Sequence, residues 1–145
     1  MGLYSGNVLG ITPNVANDNW ALDAAALESA IIKEIGWGGE ATVSTAMRTI
    51  VARASGGTVP VAGNVQKRHP HTPTNLVAFV TTWTAQPTLD AGALIPIQGW
   101  NSNGGIVLWQ AGPGDEIFLI GAAHVSCRNA VGTATSDYGV CWLEP

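Results

Sequence analysis

Leu76–Thr84, which reads LVAFVTTWT, decides the fold class. Valine, threonine and aromatic side chains dominate it and no glycine or proline interrupts it, the composition of a pleated, half-buried strand. Working outward, the same signature recurs between turn signals. Downstream, Leu94–Trp100 and Gly105–Gln110 flank NSNGG, whose Asn103-Gly104 step is a strong hairpin signal. Gly112-Pro113-Gly114-Asp115 sets proline and glycine where a type II turn requires them, and a strand over Glu116–Gly121 follows. Two more strands are expected near Val125–Asn129 and Tyr138–Leu143, joined by Gly- and Thr-rich turn residues. A hairpin centred on Ala134 would set Cys127 opposite Cys141, within reach of a cross-strand bridge. No secretory signal is visible, so packed free thiols are the expected state.

Upstream, Ile31, Lys33, Ile35 and Trp37 alternate, and a strand is expected over Ser29–Trp37. Trp20, Ala24, Leu27, Ile31 and Ile35 also fall near helical spacing, which leaves a short turn of helix open before it. Thr45–Ala54 alternates as well, with enough alanine to keep a helix open. Residues 55–75 contain three prolines and read as a long loop. Residues 1–19 read as an irregular arm, broken by Gly2, Gly6, Gly10, Pro13 and a run of asparagines. The expectation is an all-β chain with about eight strands: a single-domain antiparallel β-sandwich over residues 20–145, jelly-roll-like, with an extended N-terminal arm.

The chain has 145 residues, the size of one domain. Only 11% are charged, where about 25% is usual. Its six basic and ten acidic residues cannot cover the surface of such a domain, so Gly, Ser, Thr, Asn, Gln and apolar atoms must. Such a surface suits a subunit held inside an assembly. Clustered Lys and Arg of the kind that bind nucleic acid are missing. No apolar run is long enough to span a membrane, and MGLYSGNVLG does not start as a signal peptide does.

Several motifs could carry chemistry. Gly36-Trp37-Gly38-Gly39-Glu40-Ala41 matches the dinucleotide-binding G-x-G-x-x-A pattern, provided a helix follows over Thr42–Ala54. No alternation of strands and helices and no correctly spaced acid accompanies it, so a glycine-rich bend is expected and no cofactor. His69 and His71 could share one side of a strand, but a metal needs a third ligand and none is in view. His124 near Cys127 or Cys141 could form a catalytic pair only through the fold, and no G-x-S-x-G elbow is present. The carboxylates are scattered over turns and strand ends, so no enzyme activity is expected. Trp83 and Trp142 lie in apolar strands and belong to the core. Trp37, among glycines, and Trp100, beside the hairpin tip, are expected to reach the surface, as a sugar-stacking platform or an interface anchor. Lys67 and Arg68 form the local basic cluster and suit contact with an acidic neighbouring subunit.

EIGWGGEATVSTAMRTIVARASGG (Glu34–Gly57), with GWNSNGG and PGDEIFLIG further on, resembles small structural proteins of tailed-phage virions, of the capsid decoration or cement type. The resemblance implies a compact β-sandwich or jelly-roll subunit, often a homotrimer, without cofactor, metal or active site. It would be made in the host cytoplasm and bind the major capsid protein on the outside of the shell, stabilising it by bridging capsomers. Leu3, Tyr4, Val8 and Ile11 of the arm, Trp37, Trp100 and the loop residues Lys67, Arg68, His69 and His71 are the interface candidates. A carbohydrate-binding surface module taking a glycan and a tail or fibre component are the alternatives.

Overall fold

A computed structural model describes residues 1–69 and 74–145. Among the described residues there is no helix. Twelve strands run in chain order as β1 (Gly2–Ile11), β2 (Asp18–Asp23), β3 (Ser29–Gly39), β4 (Ala46–Ser55), β5 (Thr58–Ala62), β6 (Val65–Lys67), β7 (Ala78–Ala85), β8 (Thr88–Asn101), β9 (Val107–Gln110), β10 (Ile117–Ile120), β11 (His124–Val131) and β12 (Ser136–Glu144). They form two six-stranded antiparallel sheets packed face to face, a β-sandwich. Sheet A has the order β10-β3-β12-β1-β6, with β9 also paired to β3. Sheet B has the order β5-β7-β2-β11-β4-β8. The first four strands never pair with one another: β1 and β3 flank β12, and β2 and β4 flank β11.

Alternation builds the core. β12 buries Tyr138, Val140 and Trp142 and turns Asp137, Gly139, Cys141 and Leu143 outward. A stack of four rings joins the sheets. Tyr4 and Trp142 of sheet A lie 5.8 Å apart, Trp142 and Phe79 6.3 Å, and Phe79 and Trp20 of sheet B 6.5 Å. Each such pair is worth about 0.5–1.5 kcal/mol beyond the area it buries. The buried Glu144 carboxylate closes one end, accepting the Leu76 and Val77 backbone N–H groups and the Trp142 indole N–H.

Two buried polar clusters hold the strands in register. Asn129 Oδ1 accepts Tyr138 Oη (2.8 Å), Asn19 Nδ2 (3.1 Å) and Thr49 Oγ1 (3.1 Å), while its Nδ2 donates to the Gly132 carbonyl. On the outer side of sheet B, Asp18 Oδ1 accepts Arg128 Nη2 (2.7 Å) and Nε (2.9 Å), and Ser126 Oγ donates to Oδ2 (2.8 Å). Burial raises the Asp18 pKa, against the pull of Ser126 and Arg128.

Several expectations are corrected. Residues 2–11 are no irregular arm. They form β1, bonded on one side to β12 and on the other to β6. The glycines that read as breakers are packing sites: a side chain on Gly2 would overlap the Tyr4 ring, and one on Gly6 the Phe79 ring. The loop over residues 55–75 contains β5 and β6, and its proline Pro60 sits on an edge strand, where a missing N–H costs no ladder bond. NSNGG turns, with Gly104 N–H donating to the Asn101 carbonyl, but makes no hairpin: β8 joins sheet B and β9 joins sheet A. Likewise β11 and β12 lie in different sheets, so Cys127 and Cys141 are not opposed, and both are free. The residues after the GWGG motif form β4, so no helix N-terminus stands there for a phosphate.

Candidate binding face

The outer face of sheet A gathers the features that composition left unplaced. Cross-strand partners share a face, so register converts the sheet into rows. One row is apolar: Leu3 pairs with Leu143, Leu143 with Ile31, and Ile31 with Phe118. Phe118 is 46% exposed and Ile120, two residues on, is 72% exposed. Arg68 prolongs this row past β1, its N–H donating to the Leu3 carbonyl. The next row is polar, running Gln66, Ser5, Cys141, Glu34 and Gln110. The third runs Asn7, Gly139, Gly36 and Leu108.

Glycine makes the third row hollow. Gly36, Gly38 and Gly139 have no side chain to raise above the sheet, and a bowl of about 410 Å³ opens over them. Asn7, Leu9, Glu34, Asp137 and Ile106 are among the residues that line it. Gly39, the last glycine of the motif, works differently: a Cβ there would overlap the Ser102 backbone. That contact is secured by Ser102, whose hydroxyl takes the Thr45 N–H and donates to the Val43 carbonyl.

Charges on the face are paired or opposed. Lys33 Nζ lies 3.3 Å from Glu116 Oε1. Backbone N–H groups, then Lys33, hold Glu116 below the usual carboxylate range. Gln110 donates to Glu34. Glu40 stands beside Asp137, whose negative charge raises its pKa, and Asp137 accepts the Gly10 N–H (2.7 Å). Burial raises the Cys141 thiol pKa, with Arg68 pulling down and Glu34 pushing up, so Cys141 is a thiol at neutral pH. Among the described residues no group of three His, Cys, Asp or Glu side chains is set to hold a metal.

The interface candidates divide. Leu3 and Arg68 meet on this face, and Lys67 and His69 are exposed beside them. Tyr4 and Trp37 are buried, while Val8 and Ile11 pack against the core. Trp37 therefore does not reach the surface, because its position in β3 alternates inward with Ile35. Trp100 is partly buried, its indole N–H donating to Thr49. His71 lies outside the described residues. Nine of the ten Trp, Tyr and Phe rings are buried or partly buried, and Phe118 alone is exposed. Leu143, Phe118 and Gly139 escaped the sequence reading; Gly36 and Gly38 were read only as a cofactor motif or a bend, and Ile31 was set on one face with Ile35 and Trp37, whereas it faces outward and they face the core. Alternation could have flagged Leu143, but only register puts it in line with Ile31 and Phe118. No protein family, curated protein or solved structure matches the chain.

Proposed function

We propose that this chain is a non-enzymatic virion structural subunit that decorates the outside of a capsid and stabilises the shell by bridging capsomers. The observation that carries the reading is the outer face of sheet A, an apolar row beside a glycine-floored bowl on a protein with few charges. Such a face offers contact area and little chemistry. The strand order supports a jelly roll: β9 and β10, β3, β12 and β1 on one side, β2, β11, β4 and β8 on the other, with β5 to β7 added at the β1 and β2 edges. Viral capsid and lectin domains both use that architecture. The lectin alternative wants an exposed tryptophan, and all six are buried or partly buried.

Binding only to the assembled shell stabilises it by mass action, by about 2.7 kcal/mol per site when free subunit stands a hundredfold above Kd. Copies joined in a homotrimer multiply weak contacts through avidity. The test mixes purified protein with undecorated shells of the phage that encodes it. Co-sedimentation at fixed stoichiometry and a higher rupture temperature are expected. Shells that pellet bare at saturating protein would refute the reading.

A further inference from the structure

The apolar row on sheet A runs across the sheet and ends at an edge, where Phe118 and Ile120 stand open to solvent. Its two ends differ in charge. At the β6 border Lys67 and Arg68 are exposed. At the β10 border stand Asp115, Glu116 and Glu28, with Glu34 nearby on β3. Two cations share that border: Lys33, engaged by Glu116, and Arg53, which donates to the Phe118 carbonyl (2.8 Å). Four carboxylates against two cations leave it net negative. The two borders are four strand spacings apart, roughly 19 Å at the usual spacing.

We infer that the two borders of this face, and not the face itself, form an interface between copies of the chain, joined head to tail, with the β10 border of one copy against the β6 border of the next. The contact carries the apolar row from one molecule into another: Phe118 meets the Arg68 guanidinium and Leu3 of its neighbour, as a cation over an aromatic ring and an apolar contact. Asp115 faces Arg68, while Lys67, the cross-strand partner of Tyr4, lies on the inner side of the β6 border. Opposite charges at opposite borders make the surface complementary to itself in this sense. A two-fold axis along β12 would also bring the borders together. It would, however, set Asp137 against its own copy and lay bowl upon bowl, leaving the hollow of the face empty. A head-to-tail contact avoids both, and it closes into a ring when the rotation between copies permits. The number three rests on the decoration reading; the surface itself does not.

The test is the mass of the free protein by light scattering behind a sizing column, with its concentration dependence. A species three times 15.0 kDa is expected. Phe118→Asp should give a monomer with an unchanged circular dichroism spectrum. Arg68→Glu should weaken association about tenfold or more, and adding Asp115→Arg to it should restore most of the loss. Thr133→Glu, in the exposed β11–β12 turn, should change nothing. A wild type that stays monomeric at its solubility limit would overturn the inference. So would an oligomer indifferent to Phe118→Asp and to the charge swap, or a dimer that a short bis-maleimide locks through Cys141, since that places β12 on a two-fold axis. Shell binding is measured separately. A monomer that decorates shells refutes the interface alone, and a ring that ignores shells refutes the decoration reading alone.

Discussion

Replacing Asn129 with alanine tests whether the buried polar cluster specifies the packing of the sheets. The Asn129 carbonyl accepts three side-chain donors: Asn19 on β2, Thr49 on β4 and Tyr138 on β12. All three donors are at most 2% exposed. Thr49 keeps the Trp100 indole as a donor to its oxygen, but its own hydroxyl proton, the Asn19 amide and the Tyr138 hydroxyl all lose their acceptor. A stranded buried donor costs about 1–3 kcal/mol. Three of them, softened by a water entering the space of the lost side chain, give about 3 kcal/mol. For a domain of this length that lowers Tm by about 9 °C, and the urea midpoint by about 1.5 M. The assay is thermal and urea unfolding of the wild type, Asn129→Ala, Tyr138→Phe and the double variant. Tyr138→Phe alone should cost about 1 kcal/mol, and the double variant should fall short of additivity by a similar amount. A loss within about 0.5 kcal/mol for Asn129→Ala, or strict additivity in the cycle, would show that the bonds contribute nothing as a network.

Three further outcomes follow from the same structure. Arg128→Ala strips Asp18 of its cation and should cost about 3 kcal/mol at neutral pH. Because the folded Asp18 pKa is raised, its contribution is complete below the unfolded pKa and declines as pH rises through the folded value. The variant should therefore regain stability on acidification, and a loss that stays flat with pH would count against a buried carboxylate as the cause. Gly36→Ala and Gly39→Ala, three positions apart in one motif, should diverge: the first has only ordinary contacts and should be neutral or stabilising by about 0.5 kcal/mol. The second drives into the Ser102 backbone and should cost at least about 2 kcal/mol, so equal melting temperatures would refute the assignment. A maleimide should label Cys141 slowly and leave Cys127 untouched in the folded protein, where burial suppresses its thiolate, and label both in urea. Two labels per native chain would place Cys127 wrongly.

Local chemistry was legible in the sequence, and pairing was not. Ala78–Thr84 of LVAFVTTWT lies on β7, Ser29–Trp37 lies on β3, with an irregularity at Lys33–Glu34 that turns Ile31 outward while Ile35 and Trp37 face the core, and the Gly112–Asp115 turn forms with Gly114 at φ +89°. Each depends on a few adjacent residues. What failed required knowledge of a distant partner. NSNGG turns as its residues dictate, but nothing in it says whether the next strand returns to β8 or crosses to β3. Gly2 and Gly6 read as interruptions because the rings that need their bareness include Phe79, far along the chain. Asn19 read as a loop residue, since its acceptor Asn129 comes into view only when β2 and β11 are adjacent. The binding face was hidden for the same reason: Leu3, Leu143, Ile31 and Phe118 are ordinary strand residues until register aligns them.

The placement of β11 and β12 has a consequence for how the chain acquires its shape. They follow the other ten strands in the chain, yet among the described residues each is the sole link between two of the first four. A growing chain therefore holds β1 to β4 without the neighbours that will satisfy their backbone groups, and closing β1 against β12 spans residues 2 to 144. Loop closure over such separations is slow, and unpaired strand edges invite association with other chains. Folding should wait until β11 and β12 are free to pair and then proceed in one cooperative step. Loss of residues 124–144 alone would leave the two halves of each sheet without their common seam.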